Sequence, residues 1–229
     1  MPRRITSLSV VLPVINERAN LETLIPEIVS VLSSRGIRFE VIVSDDGSTD
    51  GTAEAAAAFP VTLVRHGENR GKGAALQSGV SATSAPLLLF CDADLVDLTH
   101  ETLDVMTMPV LSGKFDMFVA ARSSKTRHLG LLTYAPLLDG QRVLTRSVWD
   151  AVPTEYKRRF EIETALNHIA NLPPFRSGFA EVAVHHVRKE EKRGFISGKQ
   201  ARYRMYRDIV SARVGLRLAR AGSKQPAYA

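Results

Sequence analysis

The sequence predicts an α/β domain built on a mostly parallel sheet with helices on both faces. Three observations lead there. Short apolar or β-branched runs alternate with segments of helical apolar spacing from Ser7 to Arg122, the pattern of parallel strands joined by crossover helices. The run Leu87–Phe90, LLLF, is apolar throughout, as in a strand buried on both faces. Three runs also end in polar residues of one kind: Asn16 and Glu17, Asp45 and Asp46, Asp92 and Asp94. Adjacent parallel strands would deliver all three groups to the carboxyl edge of one sheet, where ligands of open α/β sheets bind.

The elements follow in order. Ser7–Leu12 is the first strand, ended by Pro13. Leu21, Leu24, Ile25, Ile28 and Leu32 recur at helical spacing. Because Pro26 fits only a first turn, the regular helix is expected to begin near Thr23 and stop at Gly36. Phe39–Val43 is the second strand, and Ser44–Thr52 supplies turn and N-cap residues before a short alanine-rich helix. Val61–Val64 is the third strand. A glycine-rich basic loop, HGENRGKG, precedes a helix over Ala74–Ser81, the Leu87 strand, a helix around Glu101–Met108, and a strand at Met117–Ala121. Beyond Arg122 the alternation breaks. Ser123–Tyr134 reads as a polar loop, Leu137–Ala151 and Phe160–Ala170 as helices, and Phe179–Val187 as a last strand carrying His185 and His186. Arg188–Gly198 reads as a charged loop, and Lys199–Arg220 as a basic helix with Tyr203, Tyr206, Val210 and Val214 on its apolar positions. The expected organisation is one domain over residues 1–187, with a first half at 7–122 and a second half at 123–187, followed by a basic loop and helix at 188–229.

Charge and composition narrow the function. Twelve Lys or Arg against three acids between Arg188 and Lys224 put that stretch at +9, and with the total at +6 the first 187 residues carry −3. A mildly acidic body with a basic tail suits an anionic membrane surface or a polyanionic partner, and it lacks the basic recognition element of a nucleic-acid binder. One cysteine, Cys91, excludes an internal disulfide, and its place in an apolar strand makes it a small buried hydrophobe. No stretch approaches the roughly 18 apolar residues of a membrane span, and the start lacks a signal-peptide pattern. A cytoplasmic protein is expected, peripheral on the inner face of the membrane if the tail binds lipid.

Two carboxylates one residue apart repel unless a hard cation lies between them, which makes Asp92 and Asp94 candidate metal ligands. A strand-end turn with two solvated acids is the plainer alternative. Asn69–Gly73, NRGKG, stands before a helix, where backbone amides favour anions and Arg70 and Lys72 add charge. It is neither a Rossmann fingerprint nor a P-loop.

VVLPVINERANL, VIVSDDGSTDGT, ENRGKGAALQSG and LLLFCDADL, in this order, resemble the nucleotide-sugar domain of family 2 glycosyltransferases, which have the GT-A fold. The resemblance covers about residues 7–122. It implies inverting transfer of a hexose from a UDP- or GDP-linked sugar, with Mg²⁺ or Mn²⁺ on the Asp92-Ala93-Asp94 motif. It also implies Pro13, Asn16, Glu17, Asp45 and Asp46 around the nucleoside, Lys72, Asp92 and Ala93 near the base, ribose or phosphates, and Asp94 on the metal. Val119–Ser123 resembles a segment of dolichyl- and polyprenyl-phosphate sugar transferases whose arginine faces the phosphates. By that resemblance Arg122, with Arg127 and Arg142, is expected to hold phosphate. Those relatives often place a glutamine ligand where this chain has Val96, and several GT-A enzymes take a histidine at the end of a strand as third ligand. Neighbours on a strand face opposite ways, so at most one of His185 and His186 is expected to face the site, and His186 is favoured. Glu161 or Glu163 is the candidate general base, although a phosphate acceptor is already anionic and needs none. The acceptor is expected to be a polyprenyl phosphate or other membrane-associated acceptor, or alternatively a soluble phosphoglycerate. A catalytically silent nucleotide-binding module and a nucleotidyltransferase are the competing readings.

Overall fold

The computed structural model describes residues 7–96, 98–122, 141–159, 161–182, 185–186, 211 and 215. The first half alternates as expected: β1 (Leu8–Val14), α1 (Arg18–Ser34), β2 (Phe39–Asp45), α2 (Thr52–Ala57), β3 (Thr62–Arg65), α3 (Lys72–Ser81), β4 (Leu87–Phe90), β5 (Leu95–Val96), α4 (His100–Leu111) and β6 (Met117–Arg122). Then come β7 (Arg142–Thr145), α5 (Arg146–Asp150), a turn of 3-10 helix at Thr154–Tyr156, α6 (Glu161–Ala170), β8 (Ser177–Val182) and β9 (His185–His186). Seven strands form one sheet in the order β3-β2-β1-β4-β7-β6-β8. All pairs are parallel except those that β7 makes with β4 and β6.

Alternation along each strand builds two cores. Leu8, Val10 and Leu12 face one side with Leu21, Ile25 and Ile28 of α1 and Met106 of α4. Val11 and Ile42 face the other with Leu76 and Val80 of α3, Trp149 of α5 and Ile162 of α6. Helix α3 lies so close to the sheet that a Cβ on Gly79 would stand 2.5 Å from a methyl carbon of Val11, so only glycine fits there.

Four expectations are corrected. The strand does not stop at Pro13, which pairs across from Ser44 within β1. Odd-numbered residues of β1 turn their backbone toward β4, and β4 pairs no further than Phe90 opposite Val11. The N–H that proline lacks would have had no partner there. Helix α1 begins at Arg18 and carries Pro26 inside it. Pro26 is exposed, as is Glu22, whose carbonyl loses its bond. An interior proline costs about 3 kcal/mol. Burial of Leu21, Leu24, Ile25, Ile28, Val31 and Leu32 contributes on the order of 1.5–3 kcal/mol each and outweighs it. Of the helix expected over Leu137–Ala151, the described residues form a strand at Arg142–Thr145 and a helix at Arg146–Asp150. All four residues of β7 are buried, Val143 in one core and Leu144 in the other. A strand between β4 and β6 buries both faces, whereas a surface helix buries one stripe. Finally, the last strand divides: β8 stays in the main sheet, and β9 leaves it to pair antiparallel with β5.

Among the described residues no helix is long and apolar enough to cross a membrane. The loop expected at Ser123–Tyr134 and that at Arg188–Gly198 lie outside the described residues. So does the tail helix, except positions 211 and 215, both helical.

Candidate active site

The strand order puts β2, β1 and β4 side by side and parallel, so the three polar strand ends share one edge. The first two are knitted together. Asn16 N donates to Ser48 Oγ (2.9 Å), Asn16 Oδ1 accepts from Thr49 N (2.9 Å), and Glu17 N donates to Thr52 Oγ1 (2.9 Å). Asn16 takes φ +53, a left-handed conformation that asparagine tolerates better than most residues. Asp45 is wholly buried, and its Oδ1 accepts from Ser48 N at 2.9 Å, closing the turn. Its Oδ2 accepts no hydrogen bond, and Arg65 Nε lies 3.5 Å away. Asp46 is buried too. Its Oδ1 faces His66 Nδ1 (2.8 Å) and accepts from Arg70 N (2.9 Å), while its Oδ2 accepts from Gly71 N (2.7 Å). The pair expected around the nucleoside is thus largely engaged by the chain's own donors. Asp46 acts as the clasp of the glycine-rich loop.

That loop places Lys72 at the first position of α3. Lys72 Nζ stands 2.6 Å from Asp92 Oδ1 and 2.6 Å from Glu163 Oε1. The three side chains are 15%, 27% and 7% exposed, respectively. Burial alone would push the lysine pKa down, but the two carboxylates outweigh it, and the pKa is raised above its ordinary 10.5. The loop also meets the segment before α6. Gly73 N donates to Arg159 O (3.0 Å), and a Cβ on Gly73 would come within 2.5 Å of the Arg158 backbone. Glycine is required by this close approach. Cys91 is buried, and burial, followed by the charges of Asp92 and Asp94, raises its thiol pKa, in keeping with an inert core residue.

Two placements depart from expectation. Arg142 is 1% exposed, with Nη1 directed at Glu163 O (3.4 Å) and Asn167 Oδ1 (3.2 Å). It holds the start of α6 from within the core, where it has no surface to offer a ligand's phosphate. Glu163, a candidate base, is engaged as the second carboxylate of Lys72, a contact the sequence did not indicate.

The sequence pattern of Glycosyl transferase family 2 matches residues 9–170, more than half of the chain. The chain belongs to glycosyl transferase family 2. It is 34% identical over 115 residues to a glucosyl-3-phosphoglycerate synthase of Mycobacterium tuberculosis, covering 47% of this chain and 35% of that protein. It is 27% identical over 205 residues to an undecaprenyl-phosphate 4-deoxy-4-formamido-L-arabinose transferase of Salmonella paratyphi B, covering 81% of this chain and 61% of the relative. The chain therefore spans from about a third to under two thirds of the length of these curated relatives. It shares its fold with the crystal structure of the M. tuberculosis glucosyl-3-phosphoglycerate synthase in complex with Mn²⁺, UDP and phosphoglyceric acid. The TM-score is 0.75 at 23% identity, over 92% of this chain and 78% of that one. The expected GT-A architecture is thereby met.

In this family 2 domain, Asp94 is half-buried at the end of the Asp92-Ala93-Asp94 motif, and β5 starts at the next residue. The antiparallel pairing of β5 with β9 sets His186 opposite Leu95 and His185 opposite Val96. The backbone of His186 thus lies across from the residue that follows Asp94. The side chains of His185, His186, Val96 and Arg122 are outside the described residues, as is all of Arg127. Among the described residues no three His, Cys, Asp or Glu side chains gather as a metal set, and Asp92 is held by Lys72. The donors on hand, two aspartate carboxylates at the sheet edge, are the hard oxygens that Mg²⁺ and Mn²⁺ take. Two features of the site escaped sequence reasoning. The Lys72–Glu163 link joins residues 91 positions apart and leaves no local signal. His66 carried only its place after a strand.

Proposed function

We propose that this family 2 domain transfers a hexosyl group, with inversion, from a UDP- or GDP-linked sugar to a phosphate-bearing acceptor. The observation that carries the reading is the Lys72 ammonium, fixed between Asp92 of the donor half and Glu163 of the acceptor half at the edge where three acidic strand ends meet. A diphosphate needs positive charge in a site otherwise lined by acids, and Lys72 supplies it at the N-terminus of α3.

Asp94 and Asp92, with His186 as third ligand, would hold the divalent cation. That ion supplies neutralisation of the charge that builds on the departing nucleoside diphosphate. Lys72 assists from the other side through charge-assisted hydrogen bonds. Asn16, Glu17 and Pro13 line the nucleoside end of the same edge. Because β6 runs parallel to β4, its last residue, Arg122, arrives at this edge too, and with Arg127 it would take the acceptor phosphate by forked hydrogen bonds. A phosphate oxygen attacks the anomeric carbon without prior deprotonation, so neither glutamate is needed as a base. Glu161, at the start of α6, remains for a hydroxyl acceptor.

The Salmonella relative favours a polyprenyl phosphate, with the basic tail on anionic lipid at the cytoplasmic face. The mycobacterial relative favours a soluble phosphoglycerate. Purified full chain with Mn²⁺ or Mg²⁺ and radiolabelled UDP- or GDP-hexose would be offered undecaprenyl phosphate in vesicles or 3-phosphoglycerate. Label in the lipid phase or in the soluble phosphoester assigns the acceptor. Donor binding without transfer to either acceptor, or turnover that Asp94→Ala leaves unchanged, would sink the proposal.

A further inference from the structure

We propose that His66 is a positioning residue for Lys72: acting through Asp46, it sets the glycine-rich loop and with it the place of the ammonium between Asp92 and Glu163. The consequence for turnover rests on the transfer reaction proposed above, whereas the positioning itself does not.

His66 follows β3 directly and is pinned to the sheet by its own N–H, which donates to Asp45 O at 2.8 Å. The residue is 7% exposed, and its ring bridges two elements, with Nδ1 2.8 Å from Asp46 Oδ1 and Nε2 2.9 Å from Ser78 Oγ. Asp46 already accepts the N–H groups of Arg70 and Gly71, and a carboxylate has no proton to give, so the network assigns Nδ1 as the donor to Asp46, with Nε2 against the Ser78 hydroxyl. The imidazole therefore fixes α3 at two places. One is Ser78 within the helix, and the other is the loop immediately before Lys72, reached through the Asp46 carboxylate.

This clasp matters because the rest of the loop is permissive. Gly71 stands at φ +95 and Gly73 rests on the Arg158 backbone, so the two residues flanking Lys72 are glycines without side chains to lock it. Without the Nδ1–H donor, the buried carboxylate of Asp46 loses one of three partners and turns from the amides it orients. The amides of Arg70 and Gly71 then lose their acceptor, and Lys72 moves relative to Asp92. A displacement on the order of 1 Å at a phosphate-binding group costs up to about 100-fold in rate.

Two substitutions separate this role from plain packing. His66→Asn keeps an N–H donor near the position of Nδ1, and His66→Leu keeps bulk without a donor. The first readout is acylation of Lys72 by an amine-reactive reagent, quantified by peptide mass spectrometry on the folded full chain. Labelling is expected to stay low in the wild type and His66→Asn and to rise about tenfold in His66→Leu. The second is steady-state kinetics, with kcat/KM for the nucleotide-sugar falling about tenfold in His66→Leu and recovering in His66→Asn. Wild-type labelling in His66→Leu, or no recovery in a folded His66→Asn, overturns the proposal. Should His66→Leu fail to fold, Asp46→Asn carries the same test: raised Lys72 labelling supports the clasp and unchanged labelling overturns it. Labelling that responds as expected in a chain that turns over no donor leaves the positioning standing and removes the transfer reaction instead.

Discussion

At the end of β2, Asp45 and Asp46 are buried, and three of their four carboxylate oxygens meet Ser48, His66, Arg70 and Gly71. At the end of β4, Asp92 and Asp94 are only half-buried, and Asp92 is met by a lysine side chain. Both pairs are aspartates at the carboxyl ends of parallel strands, one on either side of β1. The difference lies in who supplies the compensating donors. The amides of Arg70 and Gly71 cannot leave Asp46 without opening the glycine-rich loop, so Asp46 is held in place by the fold. A lysine on a flexible stem can release one carboxylate and turn to an incoming phosphate, so the β4 pair can exchange partners with a ligand. In a ligand site the telling carboxylate is the one whose partner can leave.

The sharpest way to break this contrast is to delete one acid from each pair. Asp94→Ala is expected to cut turnover by about 100–1,000-fold with Tm unchanged, measured by radiolabel transfer beside calorimetry. Asp46→Ala should do the converse in stability, leaving buried donors without an acceptor at a cost of about 3 kcal/mol, seen as a fall of roughly 6–12 °C in Tm. If Asp46→Ala melts like the wild type, Asp46 is not structural and the contrast fails.

Lys72→Met tests the partner rather than the acids. It leaves Asp92 and Glu163 facing one another without a cation, and a loss of about 2 kcal/mol is expected. The pH dependence has a definite sign. The lysine pKa is raised on folding, so its stabilisation is fully present below the ordinary lysine value of 10.5 and is lost as pH rises through the higher folded value. The Tm gap between wild type and Lys72→Met should hold from about pH 7 to 10 and close only above that range. A gap that closes near neutrality would show that the two carboxylates do not hold this charge.

Smaller effects sharpen the picture. Glu163→Gln retains an acceptor for Lys72 and should raise the nucleotide-sugar KM several-fold, about 1 kcal/mol, with the pH profile of kcat unchanged. A general base would instead cost roughly 100-fold or more in kcat and erase the acid limb. Smallest is Gly215→Ala. Its Cβ would meet the Tyr156 hydroxyl at 2.9 Å, the movable end of a side chain, and a Tm shift under about 2 °C is expected. No shift would mean that Gly215 does not rest against Tyr156 in solution.

The donor edge was legible because its signals are local. An apolar run of four residues, a β-branched run and a glycine-rich basic loop each declare themselves within a few positions, and parallel crossover topology then brings Asn16, Asp46 and Asp92 to one side. The acceptor half was less legible for the opposite reason. Arg142–Thr145 has no strand signal of its own, and it became β7 because β4 and β6 offered it two antiparallel partners and two buried faces. Arg142 resembles a phosphate ligand in one dimension, yet burial in that strand turns it toward α6. Pro26 misled in the same way, because its cost is local and the six buried side chains that outweigh it act through tertiary packing.

From the order of residues alone came the alternating strands and helices and the shared acidic edge, since period and turn chemistry act within a few residues along the chain, and the resemblance of four short motifs added the expectation of a glycosyltransferase donor domain. The employment of each acid came only with the three-dimensional fold. Lys72 meets Glu163 across 91 residues, and His66 meets Asp46 across 20. Such contacts exist because two separately specified elements pack against a common sheet, and no window of sequence contains both partners and the space between them.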